Sequence, residues 1–151
     1  MEAVALDLDG VLGDTRALWR DWIQDAARRY RMEELEQLPD DRGRAAEALD
    51  TRLGNWRELL ERFAQDHAPV YLRPNAGTSA ALRRLQADGV RIGIFTDAPE
   101  PLARVALSHL GAARRLDVLE TGPGAFERLL ERLGSDAVVV HTRDELVAAA
   151  A

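Results

Sequence analysis

The 151-residue sequence contains no cysteine and no lysine, and each absence excludes a class of chemistry. Without cysteine the chain can form no disulfide bond, no thiolate zinc site and no cysteine nucleophile. Without lysine, no mechanism can depend on a side-chain ammonium group. All 20 basic residues are therefore arginine, which codon bias in a GC-rich genome would explain without any functional cause.

Long apolar runs and basic clusters are also missing. No stretch approaches the roughly 18 apolar residues of a transmembrane helix, and the N-terminus lacks the basic and apolar segments of a signal peptide. These absences predict no membrane span and a cytoplasmic location. The net charge is −6 and no basic cluster is long enough to follow a phosphate backbone, which argues against nucleic acid as a partner.

The pattern of apolar residues predicts an α/β fold. Four short apolar runs have the length and composition of buried strands: 3–8, 91–96, 116–121 and 136–142. Three amphipathic segments with helix start and stop signals alternate with them: 78–89, 98–111 and 124–134. A short helix is expected at the C-terminus. This alternation indicates one parallel sheet covered by helices on both faces.

A second helical region interrupts the α/β pattern directly after the first strand. Residues 14–67 show a helical period of apolar residues, broken near Pro39 and Gly43, and residues 68–77 have the composition of a connector. We therefore expect a core domain of residues 1–13 and 68–151, with 14–67 as a small helical insert. The three tryptophans lie in this insert and are expected to pack its helices together.

Two aspartates stand in the first strand, within "ALDLDGVLGDT" at residues 5–15. Asp7 and Asp9 are two residues apart, so both side chains point to the same side, at the strand end where parallel sheets bind ligands. At about 4 Å and an effective dielectric constant near 20, two carboxylates repel by roughly 4 kcal/mol. A cation, a shared proton or hydrogen-bond donors must offset this repulsion. A purely structural alternative, in which Asp9 caps a turn and backbone amides satisfy Asp7, explains one carboxylate better than two.

The segment "DLDGVLGDT" resembles the Asp-x-Asp-Gly first motif of the haloacid dehalogenase-like hydrolases. The segment that ends in "GIFTDAP" is similar to the one that leads into the second motif of that family, with Thr96 followed by Asp97. The helical insert lies where phosphoglycolate-phosphatase-like members carry a cap. The resemblance spans nearly the whole chain. It implies a Rossmann-like three-layer fold with the strand order third, second, first, fourth, and a cap at the carboxyl edge of the sheet.

The resemblance also implies a magnesium-dependent phosphatase that acts on a small phosphorylated metabolite. Asp7 would attack phosphorus to form an aspartyl-phosphate, and Asp9 would protonate the leaving oxygen and then activate water. Thr96 would donate its hydroxyl to a phosphate oxygen, while Gly10 and Asp97 would belong to the loops that bind phosphate and substrate.

Magnesium would bridge Asp7, the backbone carbonyl of Asp9 and the phosphate, with Asp144 as a further candidate ligand. The chain departs from the family pattern at this point. Where relatives end a strand with glycine and a metal-binding aspartate, this sequence has His141 and Thr142. Asp144 and Glu145 could bind metal from a shifted turn or simply form a solvated helix start. We expect His141 to fill the space of the missing site, and magnesium to bind weakly.

The third motif of the family, a lysine, is also absent. The segment "ETGPG" occupies its place, and four arginines are candidates to supply the missing charge: Arg16, Arg20, Arg73 and Arg143. A planar guanidinium does not replace a compact ammonium without a rebuilt site.

Two functions therefore stay open: a weak phosphatase, or a catalytically impaired binding or regulatory domain with the same fold. A phospho-acceptor receiver domain is disfavoured because such domains also use a lysine and carry no long helical insert after the first strand. The sequence also ends soon after its fourth strand, so we expect a sheet of four long strands.

Overall fold

In the computed structural model, which describes residues 1–151, four parallel strands form one sheet. The strands are β1 (Ala3–Asp7), β2 (Arg91–Thr96), β3 (Val118–Thr121) and β4 (Val138–Val140). Their spatial order is β3-β2-β1-β4, which confirms the expected order, and β1 pairs with both β2 and β4. Asp7 lies opposite Phe95 in the register, so the carboxyl end of β1 is level with the end of β2.

Seven α-helices surround or extend from the sheet: α1 (Arg16–Arg29), α2 (Arg42–Arg52), α3 (Trp56–Tyr71), α4 (Ala76–Ala87), α5 (Glu100–His109), α6 (Ala125–Leu133) and α7 (Arg143–Ala150). A single π-helical turn, Leu8–Leu12, follows β1, and a 3-10 segment, Glu33–Gln37, lies between α1 and α2. None of these helices combines the length and apolar character that crossing a bilayer requires.

The alternation of side chains along β1 sets the two faces of the sheet. Val4 and Leu6 belong to the larger apolar core, which contains buried residues of α4, α5 and α7. Ala3 and Ala5 lie on the other face, where α6 packs. The small residues allow α6 to come close, and a Cβ on Gly93 of β2 would lie 2.6 Å from Leu129 of that helix. The core is therefore a three-layer α/β structure, as expected.

The segment between β1 and α4 forms a helical cap with its own apolar cluster. Trp19, Trp22 and Trp56 lie in this cluster with ring centroids 5.4–6.2 Å apart, so they pack the helices together as predicted. Ala98 and Leu102 of the core also belong to the cluster, which joins the cap to the start of α5.

Helix α3 continues beyond the predicted connector boundary at residue 68. It ends at Tyr71 and includes Pro69, which lies within the segment expected to be a connector. Leu60, Ala64, Ala68 and Leu72 are all buried and recur every four residues, so the apolar stripe continues past the proline. Packing of this stripe outweighs the hydrogen bond that the proline removes.

Candidate active site

The first turn after β1 brings the two aspartates to the carboxyl edge of the sheet. Asp7 is the last residue of β1, and Asp9 lies in the π-helical turn that follows. Gly10 allows this turn to lie against the end of β4, because a Cβ at Gly10 would be 2.1 Å from the carbonyl oxygen of His141. A close backbone approach therefore explains the glycine after the two aspartates.

Asp9 accepts four hydrogen bonds and is only 10% exposed. Its Oδ1 accepts from the backbone amide of Thr15 at 2.9 Å and from the hydroxyl of Thr15 at 2.6 Å. Its Oδ2 accepts from the hydroxyl of Thr96 at 2.8 Å and from Nη2 of Arg42 at 3.0 Å. The repulsion expected from a neighbouring carboxylate is offset at Asp9 by these donors. Thr15 is a site residue that the sequence analysis did not identify.

Arg42, the first residue of cap helix α2, is the cation that reaches the site. Its side chain is 2% exposed, and its Nη2 also donates to Asp97 at 2.6 Å. Its Nη1 donates to the hydroxyl of Thr15 at 2.7 Å, while its buried Nε has no partner. A guanidinium this deeply buried is stabilised only by such pairing.

The four arginines proposed from the sequence do not hydrogen-bond to Asp7 or Asp9. Arg16 pairs with Asp14 through two hydrogen bonds of 2.9 Å and holds the pKa of that carboxyl below its usual range. Arg143 donates to backbone carbonyls of the turn after β1, Arg73 is exposed, and Arg20 faces a cavity in the cap. The contact to Asp9 comes from Arg42, which no local pattern distinguishes among 20 arginines.

Asp7 has a poorer electrostatic environment than Asp9. Its side chain is 31% exposed, and burial together with the charge of Asp9 raises the pKa of its carboxyl. The backbone of Gly10 and the ring of His141 act in the opposite direction. His141 Nδ1 lies 3.7 Å from Asp7 Oδ2, and the same ring stands edge-on to Phe95. His141 therefore lies beside the expected nucleophile rather than apart from it.

The expected position of the family lysine is occupied by a structural ion-pair cluster. Arg128 and Arg132 each donate to Glu120 at 2.8 Å and lower the pKa of its carboxyl. The turn that follows β3 uses two glycines with left-handed backbone, Gly122 (φ 77°) and Gly124 (φ 74°). No cation from this turn extends toward Asp7.

A crevice of about 460 Å³ lies between this turn, the two aspartates and the end of β2. The cap closes one side of it, because Gly43 lies so near Pro123 that a Cβ on the glycine would be 2.6 Å from the proline ring. A second cavity of about 660 Å³ lies under α1 in the cap, and its lining includes Arg42 and Asp97. The pair formed by Arg42 and Asp97 borders this cavity, and Asp97 also lines the crevice.

The region where the fourth motif was expected caps a helix. The hydroxyl of Thr142 accepts a hydrogen bond from the amide of Glu145 at 3.2 Å, and the carboxylate of Glu145 accepts from the amide of His141 at 2.9 Å. This reciprocal arrangement is a variant of the capping box and stabilises the start of α7. Asp144 is exposed in the same turn.

The structure does not bring Asp144 together with Asp7 and Asp9, since no group of three acidic or histidine side chains is close enough to hold a metal ion. A sparser magnesium site still fits the residues present. Magnesium binds through one or two carboxylates and completes its octahedron with waters and substrate phosphate. Asp7 is a half-buried carboxylate with a raised pKa that forms no salt bridge with an arginine, and it has the hard oxygen atoms that such an ion requires.

Comparisons with known proteins agree with this fold. Residues 1–142 match the haloacid dehalogenase-like hydrolase family. A phosphorylated carbohydrates phosphatase from Thermotoga maritima is 27% identical over 153 residues, covering 88% of this chain and 71% of that protein. CbbY from Rhodobacter sphaeroides, solved in complex with phosphate, superposes with a TM-score of 0.68 at 19% identity, covering 92% of this chain and 76% of CbbY. A HAD phosphatase from Thermococcus onnurineus gives a TM-score of 0.57 at 21% identity, covering 99% and 83% of the two chains.

Proposed function

The chain belongs to the haloacid dehalogenase-like hydrolase family, and from this premise we propose that it hydrolyses small phosphate monoesters through an aspartyl-phosphate on Asp7. The observation that supports this proposal best is the difference between the two aspartates. Both oxygens of Asp9 are occupied by donors, whereas Asp7 lines the crevice and forms no salt bridge with an arginine. Asp7 is therefore the carboxylate available to attack an incoming phosphate.

In the proposed reaction, an oxygen of Asp7 forms a bond to phosphorus as the bond to the leaving oxygen breaks. Asp9, protonated for this step, gives its proton to the leaving oxygen. It then takes a proton from the water that hydrolyses the aspartyl-phosphate and releases orthophosphate. Because Asp9 accepts four hydrogen bonds here, at least one of its donors must turn away before it can act as an acid. Thr96, which now donates to Asp9, is placed to donate instead to a phosphate oxygen.

Magnesium would be held by the carboxylate of Asp7 and the backbone carbonyl of Asp9. When bound, it supplies the positive charge that allows a phosphate dianion to approach two carboxylates. The remaining task of the chain is to exclude bulk water, which the contact between Gly43 and Pro123 at the cap serves.

We infer that the substrate is a small phosphorylated metabolite. The crevice beside Asp7 has room for a phosphoryl group, and the cap cavity beyond Asp97 has room for the organic part. The comparisons support this substrate class: the curated relative is a phosphatase of phosphorylated carbohydrates, and a variant of CbbY was solved with xylulose-1,5-bisphosphate.

A catalytically impaired binding domain is the second candidate, and two observations favour it. The chain contains no lysine, and Thr142, where relatives have a metal-binding aspartate, caps α7. Such a domain would still bind phosphorylated ligands under the cap but would not turn them over.

Magnesium-dependent hydrolysis of an aryl phosphate and of a panel of sugar phosphates tests the proposal. Asp7→Asn should abolish turnover because an amide is a poor nucleophile. Asp66→Asn, an identical chemical change at an exposed position of α3, should leave turnover unchanged. A wild type that binds phosphorylated ligands but hydrolyses none of them would support the binding domain instead.

A further inference from the structure

We propose that Arg42 is a positioning residue that acts on the reaction through Asp9, so that the cap supplies a positive charge to a site that has no lysine. The inference rests on the function proposed above, since it concerns how Asp9 is held for that reaction. Arg42 is not expected to touch the transferred phosphoryl group. Its role is to fix the general acid in place when the cap is closed.

The charge distribution of the site is the first observation behind this proposal. Asp7, Asp9 and Asp97 line one crevice, and Arg42 is the one arginine that forms a salt bridge with any of them. It lies 3.0 Å from Asp9 and 2.6 Å from Asp97. A single guanidinium therefore serves two carboxylates from two different strand ends.

The geometry of the contacts requires a guanidinium. Arg42 uses Nη1 for Thr15 and Nη2 for the two aspartates, while Thr15 in turn donates its hydroxyl to Asp9. Arg42 thus holds Asp9 directly and also through Thr15. A lysine has one nitrogen at the end of a flexible chain, and it cannot reproduce this planar, two-pronged arrangement.

The buried Nε of Arg42 is a second indication that the residue is placed for its Nη contacts. Arg42 is 2% exposed, yet its Nε–H has no hydrogen-bond partner. Burying a donor that has no hydrogen-bond partner in the protein carries a cost. The position of the two Nη atoms between Asp9, Thr15 and Asp97 accounts for this cost.

The position of Arg42 in the chain links Asp9 to the cap. Asp41 caps helix α2 by accepting a hydrogen bond from the amide of Arg44 at 2.9 Å, which fixes the first turn of the helix. Gly43, the next residue after Arg42, packs on Pro123 of the core. Arg42 can hold Asp9 only where the cap is docked on the core as it is here. The hydrogen bonds from Thr15 and Thr96 supply the rest of the hold on Asp9.

The test compares Arg42→Ala and Arg42→Lys with Arg44→Ala, a matched loss of an exposed arginine in the same helix. For Arg42→Ala we expect kcat to fall on the order of 10²-fold with KM little changed, and millimolar methylguanidinium to restore at least a tenth of the loss. Arg42→Lys should stay low because an ammonium cannot bridge the three partners. Arg44→Ala should match the wild type and not respond to methylguanidinium.

Amide hydrogen exchange at Thr15 gives a readout that does not depend on turnover. Because this amide donates to Asp9, it should exchange at least several-fold faster in Arg42→Ala than in Arg44→Ala and be protected again by methylguanidinium. If the wild type hydrolyses nothing but the Thr15 amide still exchanges faster in Arg42→Ala, the proposed function is overturned and the role of Arg42 in holding Asp9 is supported. Unchanged kcat and unchanged Thr15 exchange in Arg42→Ala would overturn the inference. If Arg42→Ala does not fold, a folded Arg42→Lys with the kcat of the wild type would overturn it equally.

Discussion

Replacing Gly10 by alanine should separate the catalytic turn from the end of β4. The added Cβ would lie 2.1 Å from the carbonyl oxygen of His141, well under the 3.0 Å that Cβ contacts in proteins respect. The obstructing atom belongs to the backbone, so no side-chain rotation can relieve the clash. Overpacking of this kind costs about 1–3 kcal/mol. For a protein of this size that corresponds to a decrease in melting temperature of roughly 3–10 °C.

Thermal unfolding followed by circular dichroism measures this decrease, and Gly54→Ala is the matched control. A Cβ at Gly54 meets no atom within 4 Å and its φ is not in the left-handed region, so alanine there should be neutral or stabilising by up to about 1 kcal/mol. Magnesium-dependent turnover should fall in Gly10→Ala beyond what the lower stability explains, because Asp7 and Asp9 lie directly before the displaced residue. If both glycine variants melt at the same temperature, the close packing of the turn against β4 is wrong.

Three further predictions concern the charges of the site. Asp7→Asn should raise the free energy of unfolding at pH 7, measured in urea. Folding raises the pKa of the Asp7 carboxyl above its ordinary 3.8, so the ionised form opposes folding and its removal stabilises the protein. This gain in stability should disappear as the pH falls below 3.8, and an undiminished gain at pH 3 would contradict this cause. Thr142→Asp should keep α7 capped, because aspartate is an equally good N-cap residue, and its free energy of unfolding should stay within about 0.5 kcal/mol of the wild type. The new carboxylate should also tighten magnesium binding in isothermal titration. An unchanged affinity would show that it does not reach the ion. Thr121→Lys should raise activity if the missing ammonium limits it. Gly122→Lys should lower the melting temperature, because Gly122 has a φ of 77° and a lysine is strained in this left-handed conformation. Equal melting temperatures for the two lysine variants would argue against that strain.

The fold was accessible from the sequence because its signals are local. The apolar run at 91–96 coincides with β2, and the predicted strand at 3–8 differs from β1 by one residue. The spatial order of the strands came from the resemblance to a family and not from periodicity, which carries no information on neighbours. Helix α3 shows that a proline alone does not locate the end of a helix, since Pro69 lies inside it.

The site was accessible only in part. Asp7 and Asp9 could be identified because carboxylates in a buried strand are costly and stand out from their neighbours. Arg42 could not, since it reaches Asp9 across 33 residues and its neighbours in sequence do not mark it as buried. Asp144 and Glu145 are metal-ligand candidates in the sequence, but Asp144 is exposed, and Glu145 together with Thr142 satisfies the backbone at the start of α7. Contacts across long separations depend on how the cap docks, which local patterns do not encode.

The distribution of positive charge explains why Asp7 is the residue of this site at which a cation from solution would bind. Asp9 is satisfied within the protein by the cap and by two threonines. Arg128 and Arg132, which lie near the expected position of the third motif, both pair with Glu120. Thr142, at the expected position of the fourth motif, caps α7. Asp7 is left with a histidine 3.7 Å away and a raised pKa. Any cation that enters the crevice gains most by binding at Asp7, which is also where the proposed reaction brings the phosphate. Substrate and metal should therefore bind cooperatively, since each lowers the electrostatic cost of the other.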